Sequence, residues 1–390
     1  MPKGNNISAK GLVRGLGLWS ATAVVVGSMI GQSVFLVAND MARELGSVTK
    51  ILSVWILGGV VVLVGSFCYA ELGAAMPETG GDYVYLSRGL NPLWGFLYGW
   101  ASTMILKPGS GAIIAAGLLR LSGFLLPSLL NPIFTWHIRI PFQVQPYQFT
   151  FTVAQLLAAA MIVIVTVINY FGVRTAGRFQ ILLTSLKVAA VAAIVLLGFT
   201  LASGIGTESA MMASPAHGDL QALLIAVVPV MLAYNGFGIL GHVGGEVLNP
   251  GKNVPRAAIL GSSLVIGLYV LINWVYFRVL GVSGVAQSQH VASGTISALI
   301  GGRGAEWITL AMIVSAFGSL HANLLAGPRV PYAMAREGVF FGFAKRIQPV
   351  FHTPSGAVIF EGCAAIILVL TGTYQTCTRL RCLHTGRSMH

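Results

Sequence analysis

The sequence predicts an all-α integral membrane protein with about nine transmembrane helices, two of them interrupted in the middle. Only 9% of the residues are charged, whereas soluble domains carry about 25% charged residues. The mean hydropathy is +0.80, and the apolar residues are gathered in long segments. Short glycine-containing stretches divide the first and the sixth of these segments, which indicates discontinuous helices.

Each apolar segment is about long enough to cross a hydrocarbon core of ~30 Å as a helix. The segments cover residues 16–38, 51–72, 93–119, 150–171, 181–203, 220–243, 257–281, 306–327 and 356–373. Residues 1–10 are polar, and the first apolar segment is longer than a secretory signal, so no cleaved signal is predicted. We therefore expect a multi-pass protein of the inner or plasma membrane, with one transmembrane domain over residues 1–375.

The basic residues indicate the orientation of the chain in the bilayer. With a cytoplasmic N-terminus, basic residues of the cytoplasmic segments outnumber those of the outer segments by about two to one, as the positive-inside rule requires. The cytoplasmic group is Lys3, Lys10, Arg14, Arg88, Arg174, Arg178, Lys252, Arg256, Arg329, Arg336, Lys345 and Arg346. The outer group is Arg43, Lys50, Arg120, Arg139, Arg278 and Arg303. The net charge of +12 is therefore a topology signal, and no nucleic-acid partner is predicted.

The first interruption has the sequence Val26-Gly27-Ser28-Met29-Ile30-Gly31-Gln32-Ser33. Glycine inside a helix costs roughly 1 kcal/mol relative to alanine, and unwound backbone within lipid needs polar partners. Amides near Gln32 and Ser33 would begin a second half-helix and suit a carboxylate. Carbonyls near Ser28 and Met29 would end the first half-helix and suit an ammonium group. A zwitterionic amino acid offers both groups.

The second interruption has the sequence Ala233-Tyr234-Asn235-Gly236-Phe237-Gly238. It could supply further carbonyls, from Leu232 and Asn235. The two interruptions lie five segments apart, which fits an inverted repeat of five plus five helices with a site near the bilayer midplane. The alternative is that the glycines, Gly27 and Gly31 above all, only permit close helix packing.

Four motifs follow one another along the chain. They are Val26–Gly31 followed by Phe35; Tyr69–Leu72 with Pro77–Tyr83; Ala233–Phe237 followed by Glu246, Asn249-Pro250 and Pro255–Ala257; and Pro328-Arg329 with Ala335–Gly338. Together they resemble the amino acid–polyamine–organocation permeases. Asn169–Val173 and Lys107-Pro108 are similar to the L-type amino acid transporters and their bacterial relatives. The resemblance implies the five-plus-five inverted-repeat fold and amino acid transport by alternating access, as an exchanger or linked to protons.

The chain departs from the pattern of that family at two places. The family usually has Gly-Ser-Gly where this chain has Gly31-Gln32-Ser33, so side chains are expected to crowd the carboxylate pocket. Some relatives place an aromatic lid at the position of Leu232, and here Tyr234 is the candidate to replace it.

Polar residues within the segments are candidates for further roles, because a charge at membrane depth usually faces a cavity or a partner. Lys187 matches a lysine that many sodium-independent members carry where sodium-coupled relatives bind the ion. The resemblance implies that its ammonium group replaces the cation and ties the fifth helix to the first interruption. The alternative is a lysine that extends toward the cytoplasmic surface.

Glu71 and Glu246 end segments on the cytoplasmic side. Either they pair with Arg329 or Arg336 and close an inner gate, or they are solvated helix ends. His242 and His321 are expected to be hydrogen-bonded within the bundle. The alternative is a role in a proton relay.

No enzyme motif occurs in the sequence. It lacks a paired-carboxylate metal motif, a phosphate-binding loop and a nucleophile elbow, so no enzyme, cofactor or metal is predicted. The expected partners are an amino acid substrate and the lipid bilayer. The alternative function is that of a non-transporting membrane sensor or partner subunit, or of an inactive truncated permease fragment.

The apolar pattern stops near Gln375. Residues 376–390 are basic and contain Cys377 and Cys382. We interpret this segment as an aberrant tail on a domain that lacks the helices after the ninth, and a frameshift or a misjoined reading frame near Gln375 is the favoured cause. The alternative is a natural short variant completed by a partner chain. An incomplete second repeat is expected to make the chain unstable or inactive by itself.

Overall fold

A computed structural model gives the fold for residues 12–31, 33–125, 127–138, 147–202, 219–288 and 290–371. The predictions for Gln32 and for residues 376–390 lie outside these ranges. The helices are α1 (Leu18–Met29), α2 (Ser33–Leu45), α3 (Val48–Ala75), α4 (Asp82–Gly89), α5 (Pro92–Ala101), α6 (Lys107–Leu125), α7 (Val153–Tyr170), α8 (Val173–Leu201), α9 (Asp219–Ala233), α10 (Pro250–Gln287), α11 (Val291–Ile300), α12 (Arg303–Ala326), α13 (Arg329–Arg336) and α14 (Ser355–Leu370).

Seven helical segments of the described residues are long and apolar enough to cross a membrane. They are Val48–Ala75, Pro92–Leu119, Val153–Tyr170, Val173–Leu201, Gln221–Gly241, Pro250–Gln287 and Glu306–Arg336. They correspond to the second through eighth predicted segments. The first predicted segment is divided into α1 and α2, and the ninth contains α14, a helix of 16 residues. The prediction of a multi-pass, all-α membrane protein is confirmed, and the total of nine spans stays a prediction.

The surface of α3 shows why this bundle requires lipid. One face carries Ile56, Leu57, Val60, Val61 and Val64, each more than half exposed. In water, leaving this face exposed would lose about 25 cal/mol of hydrophobic stabilisation for each Å² of apolar area. The opposite face, with Trp55 and Val62, is buried and packs against α10. The exposed face therefore lies against hydrocarbon.

Two local features differ from simple spans and loops. The region between the third and fourth predicted segments contains a hairpin, in which β1 (Pro132–Ile138) pairs antiparallel with β2 (Tyr147–Thr152). Helix α10 is interrupted at Gly281, whose φ of 66° and ψ of 173° are not helical. The predicted seventh segment ends at this same glycine.

The interrupted first span lies at the centre of the bundle, because α1 packs against α8, α10 and α12. The third span contains a π-helical turn, Ser102–Leu106, between α5 and α6. Pro108 lies two residues after the end of this turn and lacks the N–H that a regular helix would use there. Such π-bulges frequently occur at functional sites.

Candidate functional site

The first span is interrupted where the glycines predict it. Helix α1 ends at Met29, and the Ile30 amide donates to the Val26 carbonyl at 2.8 Å. The Gly31 amide turns back to the Met29 carbonyl at 2.9 Å, and α2 begins at Ser33. The carboxyl end of α1 and the amino end of α2 therefore lie within a few residues of each other, which places partial charges of opposite sign side by side.

The sixth span is interrupted as well, but its second half is not an α-helix. Helix α9 ends at Ala233, and the chain continues as two 3₁₀ turns, Phe237–Gly241 and Gly244–Glu246. Glycines within this stretch disfavour an α-helix and permit close packing. A Cβ atom at Gly241 would lie 2.8 Å from the Tyr85 hydroxyl, and one at Gly245 would lie 2.3 Å from Thr79 Oγ1.

The two interruptions touch each other. Gly236 has a φ of 119°, a conformation that favours glycine, and a Cβ atom there would lie 2.5 Å from Ser28 Oγ. Gly27 packs against α8, since its Cβ would lie 1.9 Å from Gln180 Nε2. Gly31 has room, because the nearest atom to its Cβ would be Ser319 Oγ at 3.7 Å. The packing interpretation therefore applies to Gly27, whereas Gly31 faces open space.

A cavity of about 500 Å³ lies where the two interruptions meet. The structure brings most of the predicted substrate-binding residues to its wall, namely Ser28, Met29, Gly31, Ser33, Leu232, Asn235 and Gly236. Sequence reasoning missed several polar residues of the same wall: Tyr69, Asp82, Tyr98, Ser102, Ser110, His242 and Asn323. Tyr69 and Asp82 belong to the second of the four motifs, and His242 is predicted only as a residue of the bundle or of a proton relay; for the others the signal was a polar side chain in or next to an apolar segment.

Tyr234 does not line the cavity, which corrects the expectation of a lid at this residue. Its side chain is fully buried, and its hydroxyl donates to the Trp55 carbonyl at 3.2 Å. The ring packs against Trp55 and Tyr269, with centroid distances of 5.5 and 5.1 Å. Helical geometry explains the difference, because two residues of a helix are separated by about 200°. Leu232 lines the cavity, so Tyr234 points to the opposite side.

Tyr269 of α10 holds both interruptions and was not predicted. Its hydroxyl is 2.8 Å from the Met29 carbonyl and 3.3 Å from the Ala233 carbonyl. The Met29 carbonyl thus receives both this hydroxyl and the Gly31 amide. Because a carbonyl oxygen has two lone pairs, the Met29 carbonyl is fully engaged in this structure. An ammonium site at the carbonyls near Ser28 and Met29 stays a prediction.

Lys187 of α8 ties the fifth span to the first interruption. Its ammonium group donates to the carbonyls of Gly27 and Ile30, each at 2.7 Å, and to Ser319 Oγ at 2.8 Å. The residue is 1% exposed, so it does not extend to a membrane surface. The three donors of the ammonium group are all used. Ser319 lines the cavity, which places Lys187 directly behind the cavity wall.

A buried ion pair closes one end of the bundle. Arg329 holds Glu246 with two bonds, from Nε to Oε1 at 2.8 Å and from Nη2 to Oε2 at 2.9 Å. The amides of Gly15 and Leu16 donate to the Glu246 carbonyl at 2.9 and 3.0 Å. We call these four residues the latch. Pairing of Glu246 with an arginine is thereby confirmed, whereas Glu71 is an exposed helix residue.

Three further side chains lie near the latch and the cavity. Tyr83 of α4 donates to Glu337 Oε2 at 2.5 Å, and burial followed by this hydrogen bond raises the pKa of its hydroxyl. His321 is hydrogen-bonded within the bundle as expected, since its Nδ1 atom is 2.6 Å from Gln180 Oε1. The same expectation is not met for His242, because neither of its ring nitrogens has a hydrogen-bond partner among the described residues.

Two interrupted spans that meet at a polar cavity inside an apolar bundle define the class of the protein, a membrane transporter with discontinuous helices. Two solved transporter structures share this fold. One is MhsT in complex with L-phenylalanine, with a TM-score of 0.61, 16% identity, and coverage of 91% of this chain and 79% of that chain. The other is MHP1, a nucleobase-cation-symport-1 family transporter, with a TM-score of 0.58, 14% identity, and coverage of 94% and 74%.

Residues 16–380 match the amino acid permease family, and the chain belongs to that family. It is 31% identical over 372 residues to the Asc-type amino acid transporter 1 of Mus musculus and covers 66% of that protein. It is 30% identical to the serine/threonine exchanger SteT of Bacillus subtilis (strain 168), covering 77% of it. It is also 30% identical to the b(0,+)-type amino acid transporter 1 of Homo sapiens, covering 71%. Each of these alignments includes 92–93% of this chain.

Proposed function

We propose that this protein moves amino acids across a membrane by alternating access, as an exchanger or with protons, and without sodium. The observation that carries the proposal is the cavity at the junction of the two interruptions, with the Lys187 ammonium group fixed behind it. The relatives support the substrate class, since their names describe a serine/threonine exchanger and amino acid transporters.

The two charged groups of an amino acid fit the two helix ends at the first interruption. We assign the substrate carboxylate to the amide end of α2 between Gly31 and Ser33, where the helix dipole is positive. We assign the ammonium group to the carboxyl end of α1, where Ser28 faces the cavity. The substrate side chain then lies toward Leu232 and Ile113, which line the same space. Small neutral amino acids such as serine and threonine are the first candidates.

The proposal that transport does not need sodium rests on Lys187. Its positive charge already occupies the carbonyls of Gly27 and Ile30 at the interruption. A metal cation there would compete with an ammonium group for the same oxygen ligands. We therefore propose that Lys187 is the fixed cation of this carrier. The membrane proposed is the inner or plasma membrane, with a cytoplasmic N-terminus.

Uptake into proteoliposomes tests the function directly. Vesicles preloaded with unlabelled serine are given labelled serine, threonine or alanine, in sodium buffer and in choline buffer. We expect counter-transport of at least one of these amino acids at equal rates in both buffers. Binding without uptake would favour a membrane sensor, and strict sodium dependence would contradict the role of Lys187.

A further inference from the structure

Glu361 is a buried acid that the proposed transport cycle does not use. It lies in α14, whose other residues are apolar or small, and it is 2% exposed. Its Oε1 atom has no hydrogen-bond partner among the described residues. An ionisable residue inside a transmembrane segment is expensive, and it usually serves a pathway for ions or protons.

The carboxyl group of Glu361 rests on the backbone of Gly327, directly after α12. A Cβ atom at Gly327 would lie 2.0 Å from Oε1 and 2.4 Å from Oε2, so only glycine leaves space for the group. Glu361 therefore lies beside the helical backbone at Gly327. Its burial and the lack of a partner for Oε1 among the described residues favour a neutral carboxyl group over an anion.

Two cationic side chains come from the elements that pack against α14. Arg329 lies two residues after Gly327 and is already paired with Glu246. Lys107 begins α6, and its carbonyl accepts from Asn323 Nδ2 at 3.1 Å, one turn of α12 before Gly327. Helix α7 contributes no acidic or basic residue, and Lys345 of the neighbouring 3₁₀ turn is exposed.

Because α6 packs against α14, Lys107 and Glu361 lie at the same height along the axes of these two helices. A Cβ atom at Gly111 would lie 3.5 Å from that of Ala365, and these residues follow Lys107 and Glu361 by one turn each. Lys107 also lines the cavity, together with Asp82 and His242. Lys107 thus stands between the cavity and Glu361.

We propose that Glu361 is a proton-binding site that controls the latch, an inference that rests on the proposed transport function. The Lys107 ammonium group first gives a proton to water in the cavity, and the neutral amine that remains then takes the proton of Glu361; the reverse order of these two transfers returns it. The carboxylate that remains carries one negative charge and competes with Glu246 for Arg329. Loss of the proton therefore weakens the latch, and uptake of the proton restores it.

The protonated carboxyl group can be observed without any transport. Its C=O stretch in the infrared spectrum of the purified protein in lipid should disappear as pH rises, and the band should be missing in Glu361→Gln. Glu361→Asp keeps an acid at the position and should return the band at a changed frequency. Glu306→Gln, at an exposed acid of α12, is the matched control and should leave the band unchanged.

Transport measurements test the coupling. In vesicles with a trapped pH dye, wild-type uptake should move protons and should rise at least tenfold with an acidic exterior. Glu361→Gln should lose this rise and the proton movement, while exchange at equal pH stays within twofold of wild type. A band and a pH response that both persist in Glu361→Gln would overturn the inference. A titrating band in a wild-type protein that exchanges no amino acid would instead contradict the proposed function.

Discussion

The ammonium group of Lys187 joins three helices at a single point. It donates hydrogen bonds to the carbonyls of Gly27 and Ile30 in the first interruption and to the hydroxyl of Ser319 in α12. A buried carbonyl that loses its partner costs about 1–3 kcal/mol. The residue is therefore needed to hold the unwound backbone in place, in addition to any role as a cation.

Lys187→Ala is expected to slow amino acid exchange at least about tenfold, because 1.4 kcal/mol at the site already corresponds to that factor. The measurement is counter-transport in proteoliposomes, corrected for the amount of inserted protein. Lys252→Ala removes an exposed lysine and should leave the rate unchanged. Wild-type rates in Lys187→Ala would show that the interruption holds without it.

The two glycines at the cavity should respond differently to a methyl group. Gly236→Ala forces an L-residue to a φ of 119° and drives its Cβ toward Ser28 Oγ, which we expect to cost about 1–3 kcal/mol. Gly31→Ala meets nothing closer than 3.7 Å. Thermal unfolding in detergent should therefore show a lower midpoint for Gly236→Ala and a nearly unchanged one for Gly31→Ala. Equal midpoints would refute the difference in packing.

At the scale of elements, the latch joins the segment before α1, the end of the sixth span and the start of α13. Both charges of the Glu246–Arg329 pair are almost fully buried, at 2% and 0% exposed. Removing one member of a buried pair leaves the other charge unpaired and costs about 3–5 kcal/mol. Exposed pairs contribute only about 0–1 kcal/mol.

The chain offers a matched comparison for the latch in the exposed pair of Arg88 and Glu78, whose side chains are 45% and 24% exposed and 2.7 Å apart. We expect Glu246→Gln to lower the unfolding midpoint and to increase proteolysis of the segment before α1. Glu78→Gln should do neither. Similar effects of the two substitutions would mean that the latch adds no more than a surface contact.

Sequence reasoning located the interruptions because glycines occur together with polar residues at corresponding places in the first and sixth segments, and Gly236 and Gly31 both line the cavity. Glycine alone would not have been enough, since Gly58 and Gly59 lie inside the continuous helix α3. It also anticipated Lys187, since a lone cation in an apolar segment requires partners. It failed for Tyr234 because Tyr234 lies about 200° around the helix from Leu232, and the sequence does not show which of these two sides faces the cavity. It failed for Tyr269 because a tyrosine within an apolar helix looks like any other packing residue.

At the scale of the whole molecule, the bilayer determines the organisation, because the lipid-facing surface is apolar and its exposure to water would be unfavourable. In the described part of the chain, no other helix covers the apolar face of α3. The same is true of three exposed leucines of α8, namely Leu182, Leu186 and Leu196. The pattern of apolar segments predicted these spans well. It could not predict the 3₁₀ turns after Gly236 or the hairpin of β1 and β2, because neither depends on hydropathy.

The predicted orientation of the protein in the membrane rests on the distribution of basic residues. Chemical labelling of introduced cysteines can test it. Lys252 begins α10 and Gly302 lies at the start of α12, so the span of α10 up to Gly281 separates them. Both residues are exposed. The distribution of basic residues predicts that Lys252 lies in the cytoplasm and Gly302 outside. In a protein with its four native cysteines replaced, Gly302→Cys should react with an impermeant maleimide on intact cells, and Lys252→Cys only after permeabilisation. The reverse pattern would invert the topology, and with it the assignment of the latch to the cytoplasmic side.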